Sequence, residues 1–134
     1  MKQSHLSLRI THWVIPNLAR RLNCEISYNS EDPLAVTMVF NTASECPVRW
    51  TFSRELLADG LNARVGEGDV ALWPMHDHNG GLTSFCVRVG GARTALFEIA
   101  AEPVMSWLDK TYEMVPCGAE FNGVDWDALV QLAE

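Results

Sequence analysis

The sequence has no cluster of basic residues. Its 10 Lys and Arg are outnumbered by 17 Asp and Glu, for a formal net charge of -7, and never gather beyond the pair Arg20-Arg21. Phosphate backbones and anionic lipid are gripped by clustered Lys and Arg, so nucleic acid and direct membrane insertion are not expected. No stretch approaches the roughly 18 apolar residues of a membrane span, and the N-terminal MKQSHLSLRI has no apolar run followed by a small-residue cleavage site. The expectation is a soluble cytoplasmic protein. The 4 cysteines, Cys24, Cys46, Cys86 and Cys117, form no CxxC pair, which excludes a zinc ribbon and a thioredoxin-like motif and leaves free thiols or a disulfide. No Gly-x-Ser-x-Gly elbow occurs, and Gly66-x-Gly68 lacks the Gly, Lys and helix of a phosphate cradle. With no catalytic constellation and no cofactor motif, the chain reads as a non-enzyme.

What is present is an ordinary globular balance, 48% apolar and 20% charged in 134 residues, the size of one domain spanning 1–134. Alternation predicts strands over His5–Val14, with Leu6, Leu8, Ile10 and Val14 on one face, and then over a run with Leu22, Cys24, Ile26 and Tyr28 on one face. Two more follow, Leu34–Phe40 and Val48–Phe52, the latter with Val48, Trp50 and Phe52 inward. Ser53 caps a short helix ending at Gly60, read as a left-handed C-terminal residue. Asn62–Val65, a turn through Gly66–Asp69 and a strand Val70–Trp73 stopped by Pro74 come next. Leu82–Val89 and Arg93–Ala101 flank Gly90-Gly91, read as a tight hairpin. A helix from Pro103 to about Glu113 should bury Val104, Trp107, Leu108 and Thr111, and a last one from Asp125 should bury Trp126, Leu129, Val130 and Ala133. Four strands then a helix, twice over, is an α+β plan with a duplicated look.

Three groups carry possible chemistry. His76-Asp77-His78 could put two imidazoles on one strand face as metal ligands, but lacks a third ligand and sits beside loop-forming Asn79-Gly80-Gly81. The 5 tryptophans could stack single-stranded nucleic acid, yet Trp50, Trp73, Trp107 and Trp126 fall on faces assigned to the core. Trp13 alone falls on a polar strand face, beside Arg9 and Thr11, so those three residues are the candidate partner contacts, unless the sheet is covered on both faces there.

Four blocks together resemble the SsgA-like family of actinobacterial sporulation and cell division proteins. They are Tyr28 with Asp32-Pro33-Leu34-Ala35-Val36; Trp50 through Gly60, including Arg54 and Leu57; Gly66-Glu67-Gly68-Asp69-Val70 with Trp73-Pro74; and Val115-Pro116-Cys117-Gly118-Ala119-Glu120. The resemblance implies an adaptor that recruits or positions FtsZ at future septum sites, beside an SsgA-like sister protein. It also implies a fold similar to Whirly-type single-stranded nucleic-acid binders, with two antiparallel four-stranded sheets and C-terminal helices, assembled as a homotrimer or other homo-oligomer. Physically, the block residues look structural: Asp32 and Pro33 set a turn, Arg54 reaches for a carboxylate, Asp69 ties down a glycine turn, and Trp73-Pro74 ends a strand on a buried ring.

Overall fold

The computed structural model describes residues 2–121. They form β1 (Gln3–Ile15), β2 (Leu18–Asn29), β3 (Ala35–Phe40), β4 (Val48–Ser53), α1 (Arg54–Gly60), β5 (Val65–Glu67), β6 (Val70–His76), β7 (Leu82–Val89), β8 (Ala95–Ala100) and α2 (Ala101–Met114). Four strands and a helix do recur twice. The helix predicted from Asp125, with Trp126, lies outside the described residues.

The expected division into two four-stranded sheets does not hold. All eight strands join one sheet in the order β4-β3-β2-β1-β8-β7-β6-β5. The reason is the length of β1, 13 residues against 6 in β3. Its whole length pairs with β2, while its Thr11–Trp13 stretch also pairs with Glu98–Leu96 of β8 and stitches the halves together. The sheet curls over its apolar face. Phe40 of β3 and Phe97 of β8 stack with ring centroids 4.1 Å apart, although two strands lie between β3 and β8 and a flat sheet would hold those strands about 14 Å apart.

The core follows the alternation. Leu22, Cys24, Ile26 and Tyr28 all point inward from β2, and Val104, Trp107, Leu108 and Thr111 of α2 close over the same face. Pro103 stands in the first turn of α2, where its missing N–H breaks no helical bond. Ser53 accepts the Leu56 N–H at 2.9 Å and caps α1 as expected.

Four local expectations change. Gly60 belongs to α1 itself, and the cap beyond it is Leu61 in ordinary right-handed geometry. Pro74 does not stop β6, because β5 has already ended opposite Leu72 and β6 is an edge strand from Trp73 onward, where a residue without N–H is tolerated. Gly90-Gly91 open a longer loop to Thr94 instead of a two-residue hairpin; Gly90 has φ +109 and donates to the Asp69 carbonyl at 3.0 Å. In β4, Phe52 is buried and Trp50 half-buried, but Val48 projects beyond the core and is exposed.

Candidate interaction surface

Residues from three of the four blocks converge on one buried cation. Arg54 opens α1, where its backbone N–H donates to Leu34 O at 2.7 Å, and it is 2% exposed. Its guanidinium donates to Thr111 O at 3.0 Å and to Glu120 Oε1 at 3.3 Å, and lies 4.0 Å from the Tyr112 ring centre and 4.8 Å from that of Tyr28. Tyr28 in turn donates to the Pro33 carbonyl at 3.0 Å. Gly118, at φ +88, turns the chain so that its N–H donates to Glu120 Oε2 at 2.8 Å, and Pro116 accepts from Ala119. The Glu120 carboxyl is held below its ordinary range chiefly by its own backbone N–H; burial opposes this, while Gly118 and Arg54 add to it. Three blocks distant in sequence are thereby tied around α1, which is a structural task.

The remaining block residues are placed as follows. Leu57 is fully buried in the core. Gly68, at φ +58, makes the β5–β6 turn. Asp69 does its tying through its backbone carbonyl, which receives Gly90 N–H, and not through its carboxylate. In the Asp32-Pro33 turn the side-chain acceptor is Asn29, which receives Glu31 N–H at 2.9 Å; Asp32 contributes backbone bonds. Trp73 is the correction of most consequence. Val70 and Leu72 take the inward positions of β6, so Trp73 points to the opposite face and is half-buried there.

That outer face is organised by register. One row across the sheet runs Ala19, Trp13, Leu96, Arg88, Ala71, and the next runs Arg21, Thr11, Glu98, Cys86, Trp73. Trp13 thus stands over the seam where β1 meets β8 and Trp73 two strands beyond it on β6, with Glu98 between them. Glu98 holds both edges: its Oε1 accepts the Trp13 indole N–H at 3.1 Å and its Oε2 accepts the Ser84 hydroxyl at 2.8 Å. Arg21 donates to Thr11 Oγ1 at 3.1 Å and to the Arg9 carbonyl at 3.4 Å, tying two of the three predicted contact residues together, while Trp13 bonds to Glu98. Trp13 is half-buried, Thr11 likewise, and the Arg9 side chain is exposed.

Between the tryptophans lies an open hollow of about 530 Å³ floored by Leu96 and Cys86 and walled by Val14, Ile15 and Met75. Val14, Ile15 and Met75 are 44%, 56% and 40% exposed, so Val14 is not the core residue that alternation made it. Apolar groups are thus gathered, open to solvent, around a carboxylate fixed by two donors. Sequence reading missed Glu98, Trp73, Leu96 and Met75. The inward phase of Val70 and Leu72 was the available signal for Trp73.

The other chemical candidates take local roles. The Asp77 carboxylate accepts Asn79 N–H at 2.9 Å and Gly81 N–H at 2.8 Å, shaping the β6–β7 loop, while His76 and His78 are exposed. The cysteines are all free: Cys24 and Cys86 buried, Cys46 and Cys117 exposed. Burial, with Glu25 nearby, pushes the Cys24 thiol up to about 12; burial, with Glu98 nearby, pushes Cys86 up to about 11. A thiol-exchange reagent at pH 8 should therefore modify Cys46 and Cys117 in the folded protein and reach Cys24 and Cys86 only after denaturation. Four thiols reacting at one rate would contradict the placement. Among the described residues no helix is long and apolar enough to cross a membrane.

A curled antiparallel sheet with two helices on its apolar side and an aromatic hollow on the other is a fold of the α+β class. Its family follows from residues 22–120, which match the SsgA family, described as Streptomyces sporulation and cell division protein; the chain belongs to that family. It is 38% identical over 103 residues to the sporulation-specific cell division protein SsgB of Streptomyces coelicolor, covering 76% of this chain and 74% of the relative. It is 37% identical to that of Saccharopolyspora erythraea, over 98% of this chain and 96% of the relative. Among solved structures, the SsgA-like sporulation-specific cell division protein of Thermobifida fusca superposes with a TM-score of 0.84 at 28% identity, over 99% of this chain and 96% of the other. A structure from work on SsgB and longitudinal cell division during sporulation of Streptomyces coelicolor gives 0.82 at 32% identity, over 90% and 94%.

Proposed function

We propose that this protein is an adaptor of sporulation-specific cell division that brings FtsZ to future septum sites, and that it does so by contact and not by catalysis. The observation that carries the reading is the outer-face hollow, where Trp13, Trp73, Val14, Ile15 and Met75 leave apolar surface open to solvent. The three family blocks around Arg54 support it indirectly, since they hold α1 and the 115–120 turn on the other face, while Trp73 of the remaining block lines the hollow. The reading includes a septal location in the cytoplasm, an SsgA-like sister protein as a second partner, and assembly as a homotrimer or other homo-oligomer.

Co-sedimentation with FtsZ filaments tests it. Trp13→Ala should reduce co-sedimentation at least ~10-fold, the usual effect of truncating an aromatic anchor. Its thermal midpoint should stay close to that of the parent, because the ring is not part of the core cluster. Absence of FtsZ binding by the parent protein would overturn the reading.

A further inference from the structure

The outer face continues past Trp73 into a second hollow of about 760 Å³, lined by Arg64, Arg88, the Gly66–Asp69 turn and Thr94. Thr94 also lines the aromatic hollow, so the two are contiguous. The Arg64 guanidinium lies 4.6 Å from the Trp73 ring centre and that of Arg88 6.0 Å from it. Among the described residues neither is in an ion pair; the pairs there are His5–Glu25 and Arg54–Glu120. In a chain of net charge -7, two guanidiniums without a carboxylate partner among the described residues stand on one ring at the end of an apolar groove. The carboxylates nearby are the exposed Asp69, on the rim of the same hollow, the exposed Glu67, and Glu98, which is committed to Trp13 and Ser84.

We propose that this composite surface docks an acidic segment of a partner protein, with one apolar side chain entering between Trp13 and Trp73 and flanking carboxylates pairing with Arg64 and Arg88. A guanidinium held against an aromatic ring is already oriented, so little freedom is lost when its fork meets a carboxylate. Single-stranded nucleic acid fits less well. Arg64 already covers Trp73, the walls at Val14, Ile15 and Met75 are aliphatic, and the overall charge repels phosphate. The inference deepens the adaptor reading by naming the partner's chemistry.

The probe is a fluorescent 12-residue peptide of glutamates around a central Leu-Phe pair, measured by anisotropy against the same peptide with lysines for glutamates. The acidic peptide should bind at least ~10-fold more tightly, with binding that weakens as salt rises. The double variant Arg64→Glu/Arg88→Glu should lose at least ~10-fold, while Arg49→Glu/Lys110→Glu, an equal charge change at exposed distant sites, should stay within about twofold. Equal binding of the two peptides, no loss on reversing Arg64 and Arg88, or tighter binding of an oligo-dT strand would overturn the proposal. So would a shift in self-association, in sedimentation equilibrium, caused by the Arg64/Arg88 reversal without any peptide binding, which would make a second copy the occupant. FtsZ co-sedimentation of the same variants separates the two readings. Dependence on Trp13 but not on Arg64 and Arg88 would retain the adaptor and remove the acidic docking. Peptide binding through Arg64 and Arg88 without FtsZ binding would do the reverse.

Discussion

Replacing Arg54 with leucine should lower the unfolding free energy by at least about 3 kcal/mol and the melting temperature by roughly 10 °C. The side chain is 2% exposed and Thr111 fully buried, so the Thr111 carbonyl has no water to fall back on. Removing it strips the Thr111 carbonyl of its donor, and an unsatisfied buried acceptor costs about 1–3 kcal/mol. It also removes a desolvated cation from between the Tyr28 and Tyr112 rings, worth about 2 kcal/mol. Burial pushes both phenols up while Arg54 pulls the other way, a sign that the cation is felt by both rings. Arg54→Lys should recover only part of the loss, because an ammonium cannot span Thr111 and Glu120 while lying flat between two rings. Thermal unfolding by circular dichroism decides it. A shift of under about 2 °C for the leucine variant would show that the cluster is not what holds α1 and the 115–121 segment to the sheet.

Gly60→Ala should also destabilise, by about 2 kcal/mol, against the ordinary expectation for a helix. Alanine in place of a helical glycine normally gains about 0.5–1 kcal/mol. Here a Cβ on residue 60 would lie 2.6 Å from Leu72 Cβ and 3.1 Å from its Cδ2. Leu72 is fully buried and its Cβ is set by the backbone of β6, so α1 has to move off the sheet, and overpacking of this kind costs about 1–3 kcal/mol. The clash outweighs the propensity gain. Pairing Gly60→Ala with Leu72→Ala should show favourable coupling in a double-mutant cycle, because shortening Leu72 makes room. Gly68→Ala is the useful comparison: its φ is +58 with nothing within 4 Å, so only the backbone penalty of about 1 kcal/mol applies. A neutral or stabilised Gly60→Ala would refute the close approach of α1 to β6.

The contrast between these glycines shows what the sequence could reveal. Both stood out as glycines at the ends of patterned segments, but only Gly68 is needed for its φ. Gly60 is needed for the space it leaves, which depends on a strand beginning ten residues later. The inward faces of β2 and α2 were legible because alternation and helical spacing report directly on burial. Which strand neighbours which was not. Alternation orients Thr11–Trp13 but says nothing of their pairing with Glu98–Leu96, and that pairing turns two expected sheets into one. The candidate surface was half legible for the same reason. Trp13 announced itself as an aromatic ring on a polar face, whereas its hydrogen-bond partner Glu98 lies 85 residues away. Trp73 was assigned inward by its size when the phase set by Val70 and Leu72 pointed it outward.

The central claim is that the family blocks around Arg54 build the fold and the face around Trp13 and Trp73 does the work. Hydroxyl-radical footprinting read by mass spectrometry, with and without FtsZ filaments, tests it most directly, since Trp13, Trp73 and Met75 are oxidisable and line one hollow. Met105, 45% exposed on α2, is the internal reference on another surface. The account predicts that filaments protect Trp13, Trp73 and Met75 and leave Met105 oxidising at its free rate. Protection of Met105 with Trp13 and Met75 unchanged would contradict it.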